Sequence, residues 1–158
     1  VQEVIFTEDQ LQEKCAEWQK ILRLQDWIVS VSIVRERDIG LENTMGTINP
    51  TLEKRMAKIR ILDPVDYPSG LMEPQDMELT LVHELLHLHL WPFTETLEGP
   101  LHVAEEQSIE AISRGLVELR RRIVGNDCCF NKNVQTFGPN EAIKKTFSIC
   151  ISCGKILT

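Results

Sequence analysis

His83 and His87 stand four residues apart inside the apolar run 79–90. On a helix that spacing puts both imidazoles on one face, nearly one turn apart, where they reach a single metal ion. Glu84, beside the first histidine, projects near the same ion and is placed to act as a base on a bound water. The chemistry to expect is hydrolysis at a Lewis-acidic metal, with His83 and His87 as ligands and Glu84 as the catalytic base. The competing reading is a pair of buried histidines satisfied by their neighbours.

A catalytic zinc takes three protein ligands and keeps one position open, so a third ligand is required. A histidine six residues after His87 would supply it in the metzincin pattern, but Phe93 stands there and Leu90 replaces the required glycine. That class is excluded. Glu106 and Glu110 are better placed, being four residues apart on one helical face. One can bind the metal while the other orients a ligating histidine through its second ring nitrogen. Such a pair on an apolar inner face is costly without partners of this kind.

The flanking sequence supplies elements to hold these groups. Thr7-Glu8-Asp9-Gln10 is a capping-box pattern, and Leu11, Cys15, Trp18 and Leu22 follow at helical spacing, predicting a helix over 8–24 with Cys15 in the core. Trp27, Val29, Val31 and Ile33 alternate with other residues, predicting a strand. A charged loop 35–38 ends at Gly40, a second strand is expected over 44–48, and Asn49-Pro50 reads as a turn. Ala57, Ile59 and Ile61 share a face opposite Lys58 and Arg60, predicting a third strand at the edge of the sheet. The motif helix should open at Pro74 and stop at Trp91-Pro92, followed by a surface loop over 91–102. A last helix is expected over 103–124, with Ile109, Ile112, Leu116, Leu119 and Ile123 as its core stripe and Gly125-Asn126 as its stop. Gly115 inside it marks a close contact with another element. His89 points away from His87 and reads as structural, and His102 as a surface loop residue.

The 158 residues suffice for one compact domain and a small appendage. With 42% hydrophobic and 26% charged residues, the composition is that of a soluble globular protein. The net charge of −7 argues against broad nucleic-acid binding. No apolar run approaches a membrane span, and the first residues lack a basic region followed by a long apolar one, so neither a membrane anchor nor a signal peptide is expected. Five cysteines, an odd number with four in tight groupings, read as reduced thiols or metal ligands in a cytoplasmic protein.

The sequence His83-Glu84-x-x-His87, followed by Glu106-Gln107-Ser108-Ile109-Glu110-Ala111-Ile112-Ser113, resembles the gluzincin arrangement of a His-Glu-x-x-His helix and a glutamate on a second helix. Its glutamate segment is similar to the Glu-x-x-Ala-Asn/Asp pattern of the ImmA/IrrE group of small bacterial and prophage metallopeptidases, with the resemblance covering roughly residues 5–124. Ile109 and Glu110 replace the usual Ala and Asn/Asp. Glu110-Ala111-Ile112-Ser113 also resembles the ligand segment of thermolysin-like enzymes, although Arg114 stands where they carry aspartate. Glu106 is favoured as third ligand and Glu110 remains its alternative. The resemblance implies an α+β zincin-like core of a helix, a small sheet, the motif helix and the glutamate-bearing helix. It further implies a protein or peptide substrate bound along a sheet edge, expected at 57–61, and a second donor to the oxyanion, for which Tyr67 and His102 are the candidates.

The character of the chain changes after Gly125, dividing it into a 1–125 metallopeptidase domain and a 126–158 tail. Cys150-x-x-Cys153-Gly resembles one knuckle of the zinc ribbon that SprT-like proteins join to a His-Glu-x-x-His core. Cys128 and Cys129 are adjacent where the first knuckle has two intervening residues, so the expectation of a structural zinc at Cys128, Cys129, Cys150 and Cys153 stands against that of a small hairpin with free thiols. The leading expectation is a zinc metallopeptidase. Its rival is a catalytically silent zinc-binding module that engages a protein or nucleic acid.

Overall fold

The computed structural model describes residues 3–40, 44–126, 134–137, 147–150 and 156–157. The chain is mixed α+β and forms two compact units, Val1–Val117 and Glu118–Thr158. No helix among the described residues is long and apolar enough to cross a membrane.

Helix α1 spans Glu8–Ile21 and begins with the expected reciprocal cap, Gln10 N–H donating to Thr7 Oγ1 at 3.3 Å and Thr7 N–H to Gln10 Oε1 at 2.9 Å. Its buried stripe is Leu11, Cys15 and Trp18, as the spacing requires. Strand β1 (Ile28–Val34) follows. The charged segment expected as a loop instead winds into a short helix α2 (Glu36–Ile39), closed by Gly40 at φ 87°. Ile39 is buried, and Asp66 accepts from both the Arg35 guanidinium and the Glu36 N–H, so the segment is pinned at both ends.

Strand β2 is Gly46–Thr51 and β3 is Met56–Leu62. The sheet order is β1-β3-β2, with β1 parallel and β2 antiparallel to β3. Two expectations are corrected here. Asn49-Pro50 lies inside β2 and not in a turn, which an edge strand tolerates because its outer side needs no proline N–H. Residues 57–61 form the central strand and not an edge. Lys58 and Arg60 mark the uncovered face of the sheet, and that face looks the same in sequence whether a strand is central or at the edge. The covered face carries Val29, Ile48, Ala57, Ile59 and Ile61, packed under α1 and α3.

Helix α3 spans Met77–Thr94, with Asp76 and not Pro74 at its start; the Asp76 carboxylate accepts from Leu79 N–H at 3.0 Å. Met77, Leu81, Val82, Leu85 and Leu88 are buried. The helix runs through Pro92 instead of stopping there. Proline removes only its own N–H, and Thr94 Oγ1 to Leu90 O at 3.1 Å and Glu95 N to Trp91 O at 3.1 Å carry the last turn onward. His89 reaches the Leu22 carbonyl at 2.8 Å and holds the end of α1 against α3, the structural role expected of it.

Near the start of α3, the Trp18 indole donates to Glu78 Oε1 at 3.0 Å, both groups being buried. Trp18→Phe removes that donor from a buried carboxylate and is expected to destabilise the fold by about 1–3 kcal/mol, read as a lower urea midpoint at unchanged slope.

Helix α4 spans Pro100–Asn126, so it begins earlier and ends later than the sequence predicts. Ile109, Ser113 and Val117 are its buried residues, while Ile112, Leu119 and Ile123 of the expected stripe are about half exposed. The buried stripe runs beside Glu106 and Glu110, partly exposed carboxylates that face the α3 histidines. Among the described residues nothing lies within 4 Å of a Cβ placed at Gly115, so the expected close contact is not found there.

The second unit holds an antiparallel sheet of β4 (Val134–Phe137), β5 (Phe147–Cys150) and β6 (Ile156–Leu157), in that order. Cys128, Cys129 and Cys153 lie outside the described residues. Cys150 is described only as the last backbone position of β5, so the expected cysteine site falls outside what the structure describes.

Candidate metal centre

The i, i+4 geometry of α3 sets the two histidine rings 5.1 Å apart, inclined at 63°. Helix α4 brings its acidic face opposite them. Glu106 Oε2 lies 3.2 Å from His83 Nε2, and Glu106 Oε1 lies 3.7 Å from His87 Nε2. One ligand atom from each of His83, His87 and Glu106 lies within 4.8 Å of the others, a group able to hold a metal ion. Two ligands about 2.1 Å from a tetrahedral ion are separated by roughly 3.4 Å, so these spacings fit without rearrangement of either helix. Burial pushes His87 below the ordinary imidazole range, although Glu106 opposes it, which favours the neutral ring that a ligand must present.

Glu110 takes a different position. Its Oε2 is 3.3 Å from Nδ1 of His83, the nitrogen on the other side of the ring from Glu106. Its Oε1 is held by Arg114 at 2.7 Å, and Arg114 also grips Glu73 Oε2 at 2.9 Å. The two sequence candidates therefore divide the work between them, Glu106 facing both Nε2 atoms and Glu110 orienting one ring. Hydrogen bonds to Glu73 and Glu110 raise the Arg114 pKa further, so it is a permanent cation behind the site.

Glu84 is buried, only 6% exposed. Burial, reinforced by the charge of Glu106, pushes its carboxyl up to about 8 in the metal-free chain. Strand β2 is packed directly on it. A Cβ at Gly46 would stand 2.6 Å from Thr80 Cγ2 and 2.9 Å from Glu84 Oε1, so only glycine lets the strand pass this close to the helix. Gly46→Ala is expected to destabilise the fold by about 1–3 kcal/mol through overcrowding, measurable by urea unfolding, with metal affinity retained because no ligand lies in the collision.

A cavity of about 650 Å³ opens over the site, with walls from β2, α3 and the first half of α4. Gly46, Thr47 and Ile48 form its strand side, and His83, Glu84, His87 and Glu106 its floor. Tyr67 and His102 both line it. The Tyr67 hydroxyl donates to the Glu73 carbonyl at 2.9 Å, and burial raises its pKa. His102, expected in a loop, belongs to the first turn of α4 and lies 3.5 Å from Glu105 through Nδ1.

Three residues at this site escape sequence reasoning. Gly46 carried a signal, since a glycine inside a strand pattern often marks close backbone approach. In the sequence Arg114 stands out only as a departure from a motif. Glu105, whose two oxygens face His87 and His102, lies within the predicted helix, but its alignment with His102 is legible only when α4 is known to begin at Pro100. Away from the site, Cys15 is fully buried and its thiol is pushed up to about 12, consistent with a core residue. The described residues thus define an α+β chain with a two-histidine, one-carboxylate site able to hold a metal. No family model, curated protein or solved structure matches the chain.

Proposed function

We propose that this chain is a zinc-dependent metallopeptidase with a zincin-like core of the gluzincin type, similar to the ImmA/IrrE group. The observation that carries the reading is the position of Glu106, one oxygen toward Nε2 of each motif histidine, with Glu84 buried beside them under β2. Two imidazoles and one carboxylate are a donor set that suits zinc and leaves one position open.

When bound, zinc acidifies its water and polarises the scissile carbonyl. His83 and His87 would hold the ion from one helix, and Glu106 would complete the set from α4. Glu110, itself fixed by Arg114, keeps the His83 ring in its ligating orientation. Glu84 takes the proton of the attacking water at its carboxylate and passes it to the leaving nitrogen. Tyr67 and His102 line the cavity and are the candidate donors to the developing oxyanion, Tyr67 only by giving up its bond to the Glu73 carbonyl.

The substrate is an extended peptide. The free edge of the described sheet that borders the cavity is β2, so the platform is 46–51 in place of the central 57–61 strand expected from sequence. A peptide added there gains backbone hydrogen bonds and runs directly past Glu84. The test is zinc content followed by digestion of a peptide library with and without chelator. Bound zinc with chelator-sensitive cleavage supports the reading, and a chain that takes up no zinc rejects it.

A further inference from the structure

The geometry points to a second divalent-cation site at His102, Glu105 and Glu106, sharing Glu106 with the His83, His87 and Glu106 site and resting on the reading of that first group as a metal site. His102, Glu105 and Glu106 each offer one ligand atom within 4.8 Å of the others. They stand at i, i+3 and i+4 on the first turns of α4, one face of one helix. His102 Nδ1 is 3.5 Å from Glu105 Oε2 and 4.0 Å from Glu106 Oε1, near the roughly 3.4 Å edge expected between ligands of a common ion.

A second observation separates this group from an ordinary acidic surface. The Glu105 side chain is only 7% exposed, while His102 is 55% exposed. A carboxylate so deeply placed needs a cationic partner. Among the described residues, Arg114 pairs with Glu110 and Glu73, whereas Glu105 and Glu106 meet imidazoles alone. An ion at the first site engages Glu106 and leaves the Glu105 Oε2 that faces His102 without a cation. The shared Glu106 then acts as a carboxylate bridge, and the exposed side of His102 leaves room for water ligands. Two carboxylates and one imidazole suit Mn²⁺, Co²⁺ or Zn²⁺.

Manganese tests this without interference from the cysteines, because it prefers oxygen and imidazole ligands to thiolates. The metal-free full chain is titrated with Mn²⁺ and followed by electron paramagnetic resonance. The wild type is expected to take up two ions whose spectra show exchange coupling through Glu106. His102→Ala is expected to take up one, with the spectrum of an isolated ion, and Glu105→Gln to weaken the second by tenfold or more. Uptake of a single ion by the wild type, or two ions with a spectrum that His102→Ala leaves unchanged, overturns the second site. A single ion lost in His83→Ala but kept in His102→Ala, or no manganese uptake by the wild type, ends this inference and leaves the proposed function to be decided by zinc uptake.

Discussion

Glu84→Gln is expected to keep zinc at wild-type affinity while kcat falls by about 10²–10⁴-fold, the usual worth of a positioned general base. The substitution preserves volume, which matters because β2 passes close over the Glu84 carboxylate at Gly46. It removes only the ability to accept a proton. Loss confined to kcat identifies Glu84 as a base; full activity in the variant would end that assignment. Zinc bound with no cleavage by either protein would instead assign the chain to a silent zinc-binding module. The same variant has a separate signature without metal. The Glu84 pKa is raised from 4.5 to about 8 in the folded chain, so between those values the folded state holds more protons than the unfolded state, and stability falls as pH rises through that window. Metal-free Glu84→Gln should lack that part of the pH dependence, which urea unfolding at pH 5 and pH 8 measures.

The second large effect separates the two glutamates. Glu106→Ala removes the only described carboxylate that faces both Nε2 atoms and is expected to abolish tight zinc binding at this site. Glu110→Gln leaves three ligands in place but loosens the His83 ring, and is expected to cost about 10–100-fold in affinity. Isothermal titration of both variants decides the assignment. The reverse ranking would make Glu110 the ligand and Glu106 the orienting group.

Local signals carried most of the architecture. The Thr7 to Gln10 box, the Trp18 stripe and the apolar surroundings of His83 and His87 are written into neighbouring residues, and the corresponding helices form as expected. What failed depended on partners distant in sequence. Lys58 and Arg60 reveal an uncovered face but not which strands flank β3, so local sequence points to an edge at 57–61, and to the substrate platform there, where the structure has the central strand. Proline misled in both directions: Pro92 sits inside α3, whereas Pro100 opens α4. Reading 91–102 as a loop removed His102 from the helix and hid its alignment with Glu105 and Glu106. The stripe on α4 was misplaced for a related reason. Its face toward α3 is partly carboxylate, and apolar periodicity cannot register polar groups that turn toward the histidines of a candidate metal site.

Digestion of a peptide library by the zinc-loaded chain, repeated after chelation, after zinc is returned, and with Glu84→Gln, tests the metallopeptidase reading most directly. The predicted result is cleavage by the zinc-loaded and zinc-restored wild type and none by the chelated protein or the variant. Cleavage that survives chelation, or equal cleavage by Glu84→Gln, would contradict it.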